Sequence, residues 1–145
     1  MIREEKVIKL LETAKVQLGK PYSYGAYVAK GEDKKVENFD CSSFVQFCFK
    51  SIGFDDFPRS SIEQAAYKGE EISIKNLQPG DLVFCEGSRG HYNAELFPNR
   101  KIYIGHVAIC SYDGKIIHAA GGKGVVEEDF SEAFKRGIAI MKRYF

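Results

Sequence analysis

Helix patterns occupy the first half of this chain and strand patterns the second, and this order constrains the fold more than any other feature. Three helices are predicted first: Glu4–Leu18, a helix that runs from Cys41 until Gly53, and Arg59–Tyr67. Strand-like segments follow at Glu71–Ile74, Asp81–Cys85, Tyr103–Ser111, Lys115–Ala119, Gly124–Val126 and Ile138–Tyr144, with one further short helix at Asp129–Lys135. Helices that precede an antiparallel sheet in this way indicate an α+β domain.

The composition is that of an ordinary globular protein, with 44% hydrophobic and 28% charged residues. A length of 145 residues suffices for a core, so we predict a single domain over residues 1–145. The formal net charge of +1 provides no global field that would recruit nucleic acid or an anionic membrane. No apolar run reaches the roughly 18 residues that a membrane span needs, so no contact with a membrane is expected.

The amino-terminal residues 1–6 lack the apolar segment and small-residue cleavage site of a secretory signal. We therefore expect a cytoplasmic protein as the chain is written, unless a leader was removed or export follows another route. The four cysteines, at positions 41, 48, 85 and 110, lack zinc-ligand spacing and lie in apolar runs. This pattern favours reduced thiols and predicts no metal and no cofactor. We expect a monomer.

Cys41 stands at the start of the second helix, directly after Asp40. Aspartate is a strong N-cap residue, and the apolar positions that follow, Phe44, Val45 and Cys48, keep helical spacing. The unpaired N–H groups and the positive dipole end of a helix start stabilise an anion. We therefore expect the Cys41 thiol to have a lowered pKa and to act as a nucleophile. The alternative is that Cys41 is a small, buried, inert residue.

A thiol nucleophile needs a base, and the chain has three histidines. His91 lies in a long polar loop, Glu86–Lys101, and is most simply a surface residue. His106 and His118 lie in apolar strand segments, where an imidazole needs a hydrogen-bond partner. In the catalytic interpretation His106 takes the thiol proton and His118 orients His106. In the structural interpretation both are satisfied core residues.

The turn between their two strands decides whether His106 and His118 share a face of the sheet. A two-residue type I′ turn at Asp113-Gly114 would place His118 opposite Ile109, and His106 would then face the other side. A three-residue loop, with a type I turn and Gly114 in a left-handed bulge position, would place His118 opposite Ala108 and on the face of His106. The sequence suits either turn.

These residues belong to a series of motifs that resembles the NlpC/P60 family of papain-like cysteine peptidases. The motifs are Gly19-Lys20-Pro21-Tyr22-Ser23-Tyr24-Gly25, Phe39-Asp40-Cys41-Ser42-Ser43-Phe44, Phe57-Pro58-Arg59-Ser60-Ser61 with Gln64, Leu77-Gln78-Pro79-Gly80-Asp81-Leu82-Val83-Phe84, Gly105-His106-Val107-Ala108-Ile109 and Ile116-Ile117-His118-Ala119. Each is weak alone, but six in order, over about Ala14 to Tyr144, make the resemblance specific.

The resemblance implies an NlpC-type catalytic domain with a papain-like fold, in which the helix that carries the nucleophile packs on a central antiparallel sheet. It implies a triad of Cys41, His106 and His118 that cleaves peptidoglycan stem peptides, between γ-D-glutamate and diaminopimelate or lysine, through a thioester. Peptidoglycan or a muropeptide would be the binding partner. The candidates for substrate binding or for the oxyanion hole are Tyr22, Asp40, Ser42, Arg59, Ser60 and Ser61.

Three departures from the family pattern qualify this implication. Ser43 replaces the usual glycine, and Ser60 stands where members that recycle free peptides carry an aspartate, so a strict requirement for a free N-terminal L-alanine is not expected. The loop Glu86–Lys101 is longer than usual and is either a wall of the substrate groove, with Tyr92, Asn93 and Arg100 as contacts, or a surface insertion. The alternative functions are a related amidase or acyltransferase, or an inactive module that binds wall peptides.

Overall fold

A computed structural model describes residues 1–26, 36–88 and 90–145. The helices in these ranges are α1 (Arg3–Val16), α2 (Cys41–Lys50), α3 (Ser61–Ala66) and α4 (Glu132–Arg136), and a 3-10 turn covers Ile74–Asn76. The strands are β1 (Glu70–Glu71), β2 (Leu82–Cys85), β3 (His106–Cys110), β4 (Lys115–Ala120), β5 (Gly124–Asp129) and β6 (Ile138–Arg143). These six strands form one antiparallel sheet in the order β1-β6-β2-β3-β4-β5, which confirms the predicted α+β class.

The start of α2 is fixed by a reciprocal cap. The Asp40 carboxylate accepts a hydrogen bond from the Ser43 N–H (2.8 Å), and the Ser43 hydroxyl accepts one from the Asp40 N–H (2.9 Å). Downstream, Phe44, Val45 and Phe49 are fully buried, and α2 packs against β3 and β4. The predicted N-cap and buried face are therefore confirmed, and α2 begins at Cys41 as expected.

An aromatic cluster anchors the other end of α2. Phe49 stacks on Phe57 with ring centroids 4.4 Å apart and meets Tyr144 edge-on at 5.7 Å. Such pairs contribute about 0.5–1.5 kcal/mol each beyond the burial of their area. Because Tyr144 follows β6, the cluster ties the carboxyl end of α2 to the end of the sheet. The helix is thus held at both ends.

The β3–β4 hairpin combines features that the sequence presented as alternatives. Asp113 (φ 57°) and Gly114 (φ 69°) are both left-handed, as the centre of a type I′ turn requires. The Lys115 N–H donates to the Tyr112 carbonyl (3.2 Å), while the Ser111 N–H donates to the Lys115 carbonyl (2.8 Å). Ser111 and Tyr112 therefore both face Lys115, which adds one residue to the β3 side, as in a β-bulge.

This bulge sets the register of the hairpin. Ile109 pairs with Ile117 and Cys110 with Ile116, so the same register continues to Ala108 opposite His118. The prediction that a type I′ turn would place His118 opposite Ile109 is therefore incorrect. The turn has that type, but the extra residue restores the register of a three-residue loop.

Several predicted boundaries differ from the structure. The segment Tyr103–Ser111 forms a strand only at β3, and the predicted strand Glu71–Ile74 overlaps β1 only at Glu71, because the 3-10 turn begins at Ile74. The first helix, predicted to reach Leu18, ends at Val16, and Leu18 is exposed. The sequence also predicts a Gly-, Lys- and Glu-rich loop from about Ala26 to Asn38, which lies largely outside the described residues. Among the described residues, no helix has the length and apolar character that crossing a bilayer requires.

The first residue of β5 lies against the segment that follows α1. Hydrogen bonds join the Val125 N–H to the Lys20 carbonyl and the Gly19 N–H to the Val125 carbonyl, both at 2.9 Å. Gly124 has a φ of +80°, and a Cβ there would lie 2.5 Å from the Lys20 carbonyl oxygen. Only glycine permits this approach, which positions the chain just before Tyr22.

Gly124→Ala is expected to lower the free energy of unfolding by at least about 2 kcal/mol, because the added methyl group meets backbone in a left-handed conformation. Gly122 has the same φ of +80°, but a Cβ at that position would meet nothing within 4 Å, so Gly122→Ala isolates the conformational cost. We expect that control to lose about 1 kcal/mol. Urea unfolding followed by circular dichroism measures both, and equal losses would contradict the steric account.

Candidate active site

A cleft of about 560 Å³ opens at the amino-terminal end of α2. Its lining includes eight residues that the sequence had singled out: Tyr22, Asp40, Cys41, Ser42, Arg59, Ser60, Ser61 and His106. Tyr24, Gly25, Gly87, Ser88, His91, Gly105 and Gly121 complete the walls. The fold thus brings together segments that lie up to 65 residues apart in sequence, from Cys41 at the start of α2, through the loop before α3, to His106 at the start of β3.

The Cys41 thiol lies against the backbone that surrounds His106. Its Sγ atom is 4.0 Å from the Gly105 carbonyl oxygen, and the residue is only 8% exposed. Burial raises the pKa of the Cys41 thiol to about 11, and the Asp40 carboxylate adds to this effect. The Val107 and Ser42 N–H groups and the Arg59 charge act in the opposite direction.

The expected lowering of the Cys41 pKa is therefore wrong. A helix start favours a thiolate, but near-complete burial and a neighbouring carboxylate disfavour it more strongly. Cys41 is consequently a protonated thiol near neutral pH. Any reaction in which Cys41 is the nucleophile would need a base to remove its proton.

The two strand histidines meet behind the thiol. His106 Nε2 lies 2.7 Å from His118 Nδ1, so the two rings share one face of the sheet, as the catalytic interpretation requires. His106 lines the cleft, whereas His118 is buried behind it and packs edge-on against Phe134, with ring centroids 5.8 Å apart. His118 can therefore act on a substrate only through His106.

Both imidazoles are held in the neutral form. Burial lowers the pKa of His106 to about 4, helped by the proximity of His118 and opposed by Glu128. Burial also lowers the pKa of His118, although its hydrogen bond to Glu128 pulls the other way. A neutral imidazole beside a protonated thiol is the arrangement that general-base activation requires.

Glu128 is a residue of this site that the sequence interpretation missed. Its Oε2 atom lies 2.6 Å from His118 Nε2, and its Oε1 atom accepts a hydrogen bond from Lys123 Nζ (2.9 Å). Because His118 pairs with Val126, Glu128 is the diagonal neighbour of His118 on the same face. The sequence does show a run of three acidic residues, 127–129, after the strand that contains His118. Which of the three contacts His118 depends on the pairing register of β4 and β5.

Asp40 and Arg59 serve the cleft chiefly as its framework. Arg59 Nη2 donates to Asp40 Oδ2 (2.8 Å) and to the Ala26 carbonyl, and Arg59 Nη1 donates to the Ser42 hydroxyl (2.8 Å). Burial pushes the pKa of Asp40 upwards, but hydrogen bonds from Arg59 and Ser43 hold it below its ordinary value. Asp40 is thus a carboxylate whose charge is already balanced. It was predicted as a candidate for substrate binding or the oxyanion hole, but its contacts show that it supports the start of α2.

Ser60, just before α3, has a hydroxyl that is already hydrogen-bonded, and Gln64 of α3 supports the start of α2. Ser60 is the N-cap of α3, and its hydroxyl also donates to Glu63 Oε1 (2.6 Å). The spacing of Ser61 and Gln64 in the sequence also predicts a capping pair, which is not formed. The Gln64 amide instead donates to the Ser42 and Pro58 carbonyls, which holds the first turn of α2. Ser61 lines the cleft at the first position of α3.

The long loop Glu86–Lys101 reaches the cleft through a different residue from those proposed. Tyr92 donates to the Phe97 carbonyl, the Asn93 side chain accepts from two loop N–H groups, and Arg100 pairs with Glu71 at 2.7 Å. These three side chains therefore make contacts outside the cleft. His91 is exposed, as expected of a surface residue, but two backbone hydrogen bonds to Ile104 hold it where it also lines the cleft.

Comparison with known proteins assigns the chain to a protein family. The model of the NlpC/P60 family matches residues 19–141, which include the whole cleft lining. The chain belongs to the NlpC/P60 family. The resemblance predicted from the six motifs is thereby confirmed.

Named NlpC/P60 relatives are longer than this chain. A probable endopeptidase of Haemophilus influenzae is 34% identical over 120 residues, which cover 80% of this chain and 60% of that protein. The γ-DL-glutamyl hydrolase of Bacillus subtilis is 28% identical over 135 residues, which cover 90% of this chain and 28% of that protein. The chain thus spans less than two thirds of either relative.

Solved NlpC/P60 structures share the fold. An NlpC/P60 family protein of Bacillus cereus superposes with a TM-score of 0.73 at 27% identity, over 95% of this chain and 40% of that one. The peptidoglycan hydrolase RipB of Mycobacterium tuberculosis superposes with a TM-score of 0.70 at 24% identity, over 99% of this chain and 68% of that one. The predicted papain-like NlpC-type fold is confirmed.

Alkylation of Cys41 by iodoacetamide is expected to be slow at pH 7 and to accelerate with pH, because the thiolate fraction grows towards a pKa of about 11. Between pH 7 and pH 10 the rate should rise about tenfold per pH unit. Mass spectrometry of the modified peptide measures it. Cys41→Ala should abolish this reaction, and Cys110→Ala, which removes a buried thiol at the end of β3 opposite to His106, should leave it unchanged. A plateau below about pH 8.5, the free-thiol value, would restore the helix-start argument.

Proposed function

We propose that this NlpC/P60 chain is a cysteine peptidase that cleaves peptidoglycan stem peptides between γ-D-glutamate and a diamino acid, diaminopimelate or lysine. The observation that supports this most is the convergence of a helix-start thiol and a hydrogen-bonded histidine pair on one cleft. The γ-DL-glutamyl hydrolase and the peptidoglycan hydrolase among its relatives support the bond type and the polymer. The roles given to Cys41, His106 and His118 belong to the same proposal.

The chemistry follows from the positions of the groups. The Cys41 sulfur attacks the γ-carbonyl carbon while His106 takes the thiol proton, and N–H groups at the start of α2 stabilise the oxyanion. The C–N bond then breaks, His106 returns the proton to the leaving amine, and a thioester remains. Water, deprotonated by His106, attacks the thioester, and its proton passes back to the sulfur as the acid is released.

The acyl half of the substrate lies, in this proposal, between Tyr22 and the serines. Cleavage at a γ-linkage leaves the α-carboxylate of D-glutamate free, and serine hydroxyls can donate hydrogen bonds to it. Ser42 and Ser61 line the cleft on this side. Arg59 is held by Asp40 and therefore orients Ser42 rather than pairing with the substrate itself.

The charge of the cleft favours a substrate without a free terminal amine. Among the described residues that line it, Asp40 is the only acid, and Arg59 balances its charge at 2.8 Å. The Ser60 hydroxyl, at the position of the recycling enzymes' aspartate, is occupied by Glu63. No described carboxylate of the lining is therefore left to pair with an ammonium group, and an N-substituted stem peptide fits at least as well.

Muropeptide digestion followed by mass spectrometry tests the proposal. We expect cleavage after γ-D-glutamate in stem peptides that carry either diamino acid, with N-acetylmuramyl forms cleaved at least as fast as forms with free L-alanine. Cys41→Ala should lose at least about a thousandfold in rate because it lacks the nucleophile. Cys110→Ala, the matched control at the other end of β3, should retain activity. Absence of cleavage in every stem peptide, or equal cleavage by Cys41→Ala, would refute the proposal.

The leaving amine lies on the side of His106, because His106 must protonate it. Gly87 lies against His106, since a Cβ added at Gly87 would be 3.6 Å from the His106 Cβ, and His91 is tied to Ile104 two residues before His106. Together with Ser88 they form the wall on this side. In a tripeptide stem the diamino acid carries a free carboxylate beside its reacting amine, and the His91 imidazole can donate a hydrogen bond to that group.

His91→Ala is accordingly expected to lower kcat/KM for tripeptide stems about tenfold, the worth of one hydrogen bond to a charged group. Because His91 meets only the leaving half, the loss should fall on acylation, while hydrolysis of the thioester stays unchanged. Pre-steady-state product bursts separate the two steps. Tyr92→Phe, which alters a neighbouring side chain that contacts Phe97, should behave as the wild type. Slower deacylation in His91→Ala would argue against this placement.

A further inference from the structure

Four side chains form a continuous hydrogen-bonded line behind the thiol. His106 Nε2 meets His118 Nδ1 at 2.7 Å, His118 Nε2 meets Glu128 Oε2 at 2.6 Å, and Glu128 Oε1 meets Lys123 Nζ at 2.9 Å. The line runs from the cleft, across β4, to the exposed edge of β5. Each contact uses a different atom, so the proton positions along the line depend on one another.

The carboxylate end determines where the protons lie. An ionised carboxylate only accepts hydrogen bonds, so His118 must carry its proton on Nε2. A neutral imidazole has one N–H group, which leaves His118 Nδ1 as an acceptor. His106 must then donate from Nε2, and the remaining nitrogen of His106, Nδ1, is left without a proton.

We propose that Glu128 is a positioning residue: acting through His118, it holds His106 in the Nε2–H tautomer and so leaves His106 Nδ1 as the base for the Cys41 thiol. The turnover part of this inference rests on the function proposed above, whereas the tautomer part does not. Without Glu128 the proton order along the line can reverse. His118 would then donate to His106, and His106 would carry its proton on Nδ1, where it cannot accept one from sulfur.

The surroundings of Glu128 suit this role. Lys123 and His118 both donate to its carboxylate, and these contacts hold the pKa of Glu128 below its ordinary value, so it stays ionised. The flanking acids have other partners: Glu127 accepts from the Ser111 hydroxyl (2.8 Å), and Asp129 accepts from Lys115 (2.9 Å). Only the middle acid of the run reaches the histidine pair, which makes its neighbours natural controls.

Glu128 also supports the charge that forms during the reaction. When His106 takes the thiol proton it becomes an imidazolium, whose charge is stabilised through His118 by the carboxylate. This support appears only as the reaction proceeds, so its loss lowers kcat rather than raising KM. We expect a reduction of about ten- to a hundredfold, less than for a carboxylate that contacts the base directly, because one imidazole intervenes.

The test is the tautomer state of the imidazoles, read from ¹⁵N chemical shifts and two-bond couplings in the unliganded protein at pH 7. In the wild type we expect Nε2–H on both His106 and His118. In Glu128→Gln, whose amide can donate as well as accept, we expect His106 to gain an Nδ1–H population and kcat to fall with KM nearly constant. Glu127→Gln, the matched control, removes one adjacent charge and should change neither reading.

A wild-type His106 protonated on Nδ1 would overturn the inference without any variant. So would a Glu128→Gln protein in which both rings keep Nε2–H and kcat falls no further than in Glu127→Gln. If the wild type cleaves no stem peptide while the ring tautomers shift as expected, the proposed function fails and the positioning role of Glu128 stands.

Discussion

The Asp40 carboxylate is the interaction on which the rest of the site depends. It accepts hydrogen bonds from the Ser43 N–H, the Gly25 N–H and Arg59, and thus joins the start of α2 to the segment after α1 and to the loop before α3. A buried carboxylate is stable only when it is paired in this way. The same bonds that stabilise the charge place Cys41 at the mouth of the cleft.

Burial then decides how the thiol is activated. A helix start alone would favour a standing thiolate, but Cys41 and the two histidines lie where water is largely excluded, and desolvation favours every neutral form. The site therefore holds a thiol beside an imidazole, not an ion pair. In the proposed mechanism the proton moves only when a substrate provides the oxyanion and the N–H groups of α2 stabilise it, so reactivity would be linked to binding.

Local sequence signals predicted those parts of the fold that depend on neighbouring residues. The cap at Asp40, the buried face of α2 and the N-cap at Ser60 follow from side chains three or four positions apart, so they were predictable. The hairpin register was not, because a single unpaired residue at Ser111–Tyr112 moves every later pair by one without changing the turn residues. The contact of Glu128 with His118, and the place of His91 in the cleft, depend on such long-range pairing.

By itself, the sequence determined the fold class, the family, and the identity of the thiol and the two histidines, since these reside in short motifs and in periodicity. Only the tertiary structure decided the protonation of Cys41 and His106, the support that Arg59 gives to Asp40, and the choice of Glu128 among three adjacent acids. The physical reason is common to all of them. Burial, and contact between distant segments, set the pKa and the hydrogen-bond partner of a side chain, and neither property is encoded in its immediate neighbours.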